Sequence, residues 1–338
     1  MTTRIAINGF GRIGRLVFRH IMEDNNGLEV VAINDIAPLE NLAYLLRYDS
    51  VHNRPKQTIS TQDGTLRWGS KDVRFLSERD PADLPWEGMK VDLAIEASGL
   101  FTKREDASKH LKAGARRVLV TAPAKGADIT ICMGVNDEKY NPDEHKIVSN
   151  ASCTTNCLAP VAKVLDDTFG IKTGFLTTVH AYTSSQAIVD APNKKMRRGR
   201  SAAVSIVPTT TGAAIATTKV LPQLEGKLDG LAMRVPVADG SIIDFVAETE
   251  KPVTVDKVNQ AFREAAENRM KGILGVTEDE LVSADIVDST FSALVDAQST
   301  MTLGEHTVKV LAWYDNEWGY ARRVADLALQ MVGAANSK

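Results

Sequence analysis

The string Gly9-Phe10-Gly11-Arg12-Ile13-Gly14 constrains this chain more than any other feature, because of what stands on either side of it. An apolar run from Arg4 to Asn8 leads in, and an amphipathic stretch from Arg12 to about Met22 leads out toward a second apolar run, Glu29 to Asn34. That succession reads as strand, turn, helix, strand, a βαβ unit. Gly9 permits the tight turn, Gly11 lets the backbone approach a pyrophosphate, and Gly14 lets helix and strand pack closely, with free helix N–H groups facing the anion. Asp35 stands at the end of the second strand, about 20 residues on, where a carboxylate accepts hydrogen bonds from ribose hydroxyls and repels a 2′-phosphate. The pattern therefore points to NAD rather than NADP. A plainer role for Asp35 is to cap the following turn. Arg12 either neutralises the pyrophosphate or is a solvated first-turn residue.

At 338 residues the chain exceeds what one hydrophobic core usually supports, so two domains are expected. Further apolar runs at Val91 to Glu96, Arg117 to Thr121, Thr130 to Val135 and Ile147 to Ser149, with a helical stretch from Glu105 to Ala113, extend the first unit into a mostly parallel sheet covered by helices. After Asn150 the strand-like runs lengthen: Lys172 to Tyr182, Leu228 to Pro236, Ser241 to Thr249 and Thr307 to Tyr314. Crossover helices become scarce, and amphipathic helices stand out at Val255 to Met270 and Glu317 to Val332. The expected fold is α/β, a Rossmann-type doubly wound parallel sheet domain followed by an α+β catalytic domain with a large mixed sheet.

Cys153 opens a segment of helical periodicity through Leu158, Val161, Ala162 and Leu165. A thiol at a helix N-terminus meets unpaired N–H groups and the positive end of the macrodipole, which favour thiolate and supply donors for an oxyanion. Cys157 lies one turn on and reads as structural. Pro160 should kink or loosen the first turns. With no further His or Cys at ligand spacing, a metal site is not expected. His180 ends a β-rich run and is a possible partner for the thiol, although on residues alone a strand histidine is more often a hydrogen-bonded filler.

Five strings now accumulate: Asn8 to Arg15, Ser152-Cys153-Thr154-Thr155-Asn156-Cys157, His180-Ala181-Tyr182-Thr183, Pro208 to Ala214, and Trp313-Tyr314-Asp315-Asn316-Glu317-Trp318-Gly319-Tyr320. Together, and across essentially the whole chain, they resemble the phosphorylating glyceraldehyde-3-phosphate dehydrogenase family. The resemblance implies that Cys153 attacks the aldehyde of glyceraldehyde 3-phosphate and that His180 assists proton removal as hydride leaves for NAD. A thioester results, which inorganic phosphate cleaves to 1,3-bisphosphoglycerate. By the same resemblance Thr183 and Arg234 take one phosphate, and Ser152, Thr154, Thr211 and Gly212 take the other, with Arg198 nearby. Asn316 would hold the nicotinamide carboxamide, and Arg79, Ser98, Gly99 and Thr121 would join Gly9, Gly11, Arg12, Ile13, Gly14 and Asp35 at the cofactor. The family's C-terminal helix packs on the first domain, so the implied division is 1–152 plus 318–338 for dinucleotide binding and 153–317 for catalysis.

The loop Ser184 to Arg200 carries Lys194, Lys195, Arg197, Arg198 and Arg200. Alone it suggests a nucleic-acid patch or a solvated basic loop; the resemblance makes it a subunit-interface loop of a homotetramer. Ala191 in that loop departs from the strict NAD pattern and leaves NADP use open. A formal net charge of −3 makes nucleic acid an unexpected main partner. Three cysteines, no signal core and no apolar membrane span point to a cytoplasmic protein. Two other readings stand beside the main one: erythrose-4-phosphate dehydrogenase, against which Thr211-Gly212 weighs, and a binding protein that uses the basic loop for RNA or protein partners.

Overall fold

The computed structural model describes residues 2–24 and 27–336. The chain divides into two compact units, Met1–Ile131 with Asp137–Ala151 and Ala321–Lys338, and Cys132–Asn136 with Ser152–Tyr320.

In the first unit β1 (Thr3–Asn8), α1 (Arg12–Asp24), β2 (Leu28–Asn34), α2 (Leu39–Arg47), β3 (Ile59–Gln62), β4 (Thr65–Trp68), β5 (Lys71–Leu76), β6 (Leu93–Glu96), α3 (Arg104–Lys112), β7 (Arg117–Val120), β8 (Ile129–Thr130) and β9 (Ile147–Ser149) follow in order. The strands form one sheet in the order β3-β4-β5-β2-β1-β6-β7-β9-β8. Pairing is parallel from β5 through β8, and β3, β4 and β5 form an antiparallel meander at one edge. β1 and β6 are buried almost throughout, as strands covered on both faces must be. Trp86, Leu84, Val91, Ala94 and Ala113 close one part of this core. Because β1 lies between β2 and β6, the strand order reverses at its C-terminal end, the place where open α/β sheets bind ligands. The strand expected at Thr130 to Val135 is a correction: β8 ends at Thr130, and residues 132–136 turn and group with the second unit. There the Asn136 carboxamide accepts from Cys132 N, a side-chain bond that holds a turn rather than a ladder.

The second unit contains α4 (Cys153–Phe169), β10 (Ile171–Ala181), β11 (Val207–Thr210), α5 (Ala213–Val220), β12 (Leu228–Val235), β13 (Ser241–Thr249), α6 (Val255–Glu267), β14 (Leu274–Thr277), β15 (Ala293–Asp296), β16 (Met301–Leu303) and β17 (Thr307–Tyr314). Its sheet runs β11-β12-β10-β13-β17-β15-β14, with β16 on β17. β10 pairs parallel with β12 and antiparallel with β13, so the sheet is mixed. α4 packs on β10, β13, β15 and β17 and is buried along most of its length. It runs through Pro160 without a break, so the expected disruption of the first turns is not realised. Its burial against the sheet supplies the packing that offsets the lost backbone bond. α7 (Trp318–Asn336) follows, its residues from Ala321 onward grouping with the first unit. No helix among the described residues is long and apolar enough to cross a membrane.

Candidate active site

The first unit holds the dinucleotide features. Gly9 has φ +90°, and a Cβ there would lie 2.4 Å from Ser98 N. A Cβ on Gly14 would lie 2.0 Å from the Gly9 carbonyl oxygen. Both positions therefore require glycine for the fold itself. At Gly11 an added Cβ meets nothing within 4 Å, so its bareness serves no packing purpose within the chain and leaves the backbone approachable at the first turn of α1. Asp35 lies one residue past β2, and its carboxylate accepts from Phe10 N at 2.7 Å and Ala37 N at 2.9 Å. It thus caps a turn and also steadies the glycine loop. Arg12 is paired with Asp49 at 2.6 Å, an acid that the residue pattern did not point to. The Asp49 carboxyl sits below its usual range: burial pushes it up, but the N–H groups of His52 and Val51 and the Arg12 charge outweigh that.

Ser98, Gly99 and Thr121 follow the C-terminal ends of β6 and β7, and exposed Arg79 follows β5. Beneath them is a network that sequence reasoning missed. The fully buried Glu96 accepts from Asn8 Nδ2 at 2.6 Å, Ser98 N at 2.8 Å and the Ser98 hydroxyl, and pairs with His110 Nε2 at 2.9 Å. Trp86 Nε1 reaches His110 Nδ1 at 3.0 Å. A glutamate ending an otherwise apolar run, Leu93-Ala94-Ile95-Glu96, was the available signal. The groups around the glycine loop fit a dinucleotide: a backbone cradle open at Gly11, a helix N-terminus beside it, and a carboxylate at the end of β2.

The second unit holds the cysteine and histidine that the sequence singles out. Ser152 caps α4, its hydroxyl accepting from Thr155 N at 3.1 Å, and this places Cys153 in the first helical turn. Immediately before it Ala151 adopts φ +54°, a left-handed alanine that turns the chain sharply into the helix. Cys153 Sγ lies 3.4 Å from His180 Nε2 near the end of β10. His180 Nδ1 lies 2.7 Å from the Ala181 carbonyl oxygen. The β10–β12 register sets Arg234 directly beside His180, and its Nη1 lies 2.9 Å from both Nδ1 and the Ala181 oxygen and 3.4 Å from Thr183 Oγ1.

Charge in this cluster corrects one expectation. Burial and the Arg234 charge push the His180 pKa down to about 3, so the imidazole is neutral and able to accept a proton. Burial also pushes the Cys153 thiol up, against the pull of Arg234 and of the Thr154 hydroxyl and N–H. The helix N-terminus thus does not act alone on the sulfur; it works against the sulfur's desolvation.

Of the residues expected at phosphates, Thr183, Arg198 and Arg234 come together. Ser185, unnoticed in the sequence, links them, bonding Thr183 Oγ1 at 2.9 Å and accepting from Arg198 Nη1 at 3.3 Å. Arg198 also donates to Thr209 at 3.1 Å. Thr211 and Gly212 open α5, which packs on α4. The Thr154 hydroxyl is buried and bonded to Tyr314 at 2.9 Å, whose hydroxyl also meets Thr178 at 2.8 Å. Asn316 is nearly buried and receives the Ser241 hydroxyl at 2.5 Å. In the basic loop, Arg200 pairs with Asp190 at 3.1 Å and Lys195 donates to Thr210 at 2.7 Å, so with Arg198 much of its charge is engaged within the chain.

Two family models match the chain: "Glyceraldehyde 3-phosphate dehydrogenase, NAD binding domain" over residues 3–104 and "Glyceraldehyde 3-phosphate dehydrogenase, C-terminal domain" over residues 152–316. Among curated relatives, glyceraldehyde-3-phosphate dehydrogenase of Streptomyces coelicolor is 54% identical over 330 residues, covering 97% of this chain and 98% of the relative. The Geobacillus stearothermophilus protein of that name is 55% identical over 328 residues, with the same coverage of both chains. Glyceraldehyde-3-phosphate dehydrogenase 1 of Bacillus subtilis is 53% identical over 328 residues, again covering 97% and 98%.

Proposed function

The chain belongs to the glyceraldehyde 3-phosphate dehydrogenase family, an NAD-dependent oxidoreductase acting on glyceraldehyde 3-phosphate, and from that premise we propose how its residues divide the work. Met1–Ile131, Asp137–Ala151 and the C-terminal helix bind the dinucleotide, and the rest carries the chemistry. The glycine loop with Ile13 holds the pyrophosphate, Asp35 the adenosine ribose, and Arg79, Ser98, Gly99 and Thr121 the rim of that site. Arg12 acts there together with Asp49. Asn316 holds the carboxamide. Bound nicotinamide supplies the acceptor for the aldehyde hydride.

Cys153 Sγ forms a bond to the aldehyde carbon as the thiol proton passes by way of His180 Nε2 to the carbonyl oxygen, giving a thiohemiacetal on the sulfur. His180 then removes the hydroxyl proton as the same carbon gives up its hydride, and the adduct becomes a thioester. Inorganic phosphate attacks the acyl carbon, the C–S bond breaks, and the thiol is restored as the acyl phosphate leaves. Splitting the reaction through a sulfur ester conserves the oxidation energy that attack by water would dissipate. Thr183, Arg234 and Arg198 hold one phosphate through paired guanidinium donors. Ser152, Thr154, Thr211 and Gly212 hold the other.

The observation that carries this reading is the 3.4 Å approach of Cys153 Sγ to His180 Nε2 at the start of a capped helix. It is tested by following NADH absorbance with glyceraldehyde 3-phosphate, with and without inorganic phosphate. Turnover that ignores phosphate, or that is faster with erythrose 4-phosphate, defeats it.

A further proposal concerns assembly. One face of the second unit's sheet exposes Phe175 at 69% and Leu231 at 42%, with Val246 and Met233 on the same face by register. Such an apolar face supports association of copies, four in the family's arrangement, and light scattering gives the mass. Three free thiols, one of them the nucleophile, support a reducing, cytoplasmic setting.

A further inference from the structure

We infer that Ser241 is a positioning residue: it locks the Asn316 carboxamide with its oxygen turned inward, so that only the N–H₂ end faces the nicotinamide. The inference rests on the functional reading above and deepens it. Ser241 begins β13 and is fully buried, and its register partner on β17 is Tyr314, two residues before Asn316. Its hydroxyl oxygen accepts from Ala181 N at 3.0 Å and its proton goes to Asn316 Oδ1 at 2.5 Å.

The direction of that chain is forced. A backbone N–H can only donate, so Ala181 occupies a lone pair of the serine oxygen and leaves the serine proton to find an acceptor. Among the described residues Asn316 Oδ1 is the acceptor it has. Were the carboxamide turned over, its nitrogen would become a second donor to the same hydroxyl, and the hydroxyl proton would be buried with no partner, which is costly. The amide orientation is thus set by the network, and Nδ2, which bonds to no described residue, is the end left for a ligand carbonyl.

The same hub reaches the base. Ala181, whose N–H is held by Ser241, presents its carbonyl oxygen to His180 Nδ1 at 2.7 Å and to Arg234 Nη1 at 2.9 Å. One buried hydroxyl therefore ties the residue that reads the nicotinamide to the peptide that orients the imidazole.

The test is calorimetric binding of NAD and of ADP-ribose, which lacks the nicotinamide, to the full chain, its Ser241→Ala and Ser241→Cys variants, Asn316→Ala, and the double variant Ser241→Ala/Asn316→Ala. The expected result is that the preference for NAD over ADP-ribose falls about tenfold in both Ser241 variants, the scale of one misdirected buried hydrogen bond. ADP-ribose affinity stays within about twofold, and the double variant loses no more preference than Asn316→Ala alone. Ser241→Cys keeps the volume and serves if the alanine variant fails to fold. Equal weakening of both ligands, an unchanged preference, or additive losses in the double variant overturns the inference. Failure of the parent protein to bind NAD would instead sink the functional reading.

Discussion

Cys153 Sγ and His180 Nε2 face each other at 3.4 Å, and the Ala181 carbonyl oxygen, which also accepts from Arg234 Nη1, lies 2.7 Å from the far nitrogen of that imidazole, Nδ1. The ring is therefore oriented on one side, and on the other the thiol is its proton donor among the described residues.

Removing either partner should separate chemistry from binding. Cys153→Ser is expected to lower aldehyde oxidation by roughly 1,000-fold or more, since a serine hydroxyl has a negligible anionic fraction at neutral pH. His180→Asn should slow acylation roughly 100-fold, the scale of a lost general base. Both variants should bind NAD in titrations as the parent does. A normal acylation rate in His180→Asn, measured by rapid quench, would falsify the base assignment.

Arg234 lowers the pKa of both reacting groups, favouring thiolate at Cys153 and disfavouring imidazolium at His180. In Arg234→Leu the thiol loses a favourable charge, so its pKa rises; alkylation of Cys153 by iodoacetamide, followed against pH, should reach half of its plateau at a higher pH than in the parent. A midpoint that stays put, or moves to lower pH, contradicts the electrostatic role. The KM for glyceraldehyde 3-phosphate should rise as well.

The glycines of the first turn should fail in different ways. Gly14→Ala drives a methyl into the Gly9 carbonyl and should cost about 1–3 kcal/mol in denaturant unfolding, as overpacking does. Gly11→Ala meets nothing in the protein and should leave stability within about 0.5 kcal/mol while weakening NAD binding. Equal stability losses at the two positions would refute a ligand-facing role for Gly11.

Asp35→Asn removes the charge proposed to meet the ribose while keeping one acceptor for the loop. The NAD-to-NADP preference, read from kcat/KM for each, should fall about tenfold, equivalent to roughly 1.4 kcal/mol. No change would leave Asp35 as a turn cap alone.

Much of this was legible in the residues themselves. Gly9, Gly14 and Ser152 act on atoms close in sequence or through backbone angles, and the long strands β13 and β17 announced themselves by alternation at their observed limits. The edge meander β3 to β5 did not, because two of its strands have only four residues and the third only six, which carries too little periodicity. Thr154 and Arg12 were placed by type and position, but their neighbours Tyr314 and Asp49 lie far away in sequence.

What the amino-acid string settled alone is local: a turn only glycine can make, a helix start that seats a cysteine, an acid at a strand end. Tertiary structure decided which distant groups meet these, because strand register pairs His180 with Arg234 and Ser241 with Tyr314, and burial then pushes the His180 imidazole toward its neutral form. Register follows from the packing of whole faces, so no short stretch of sequence contains it.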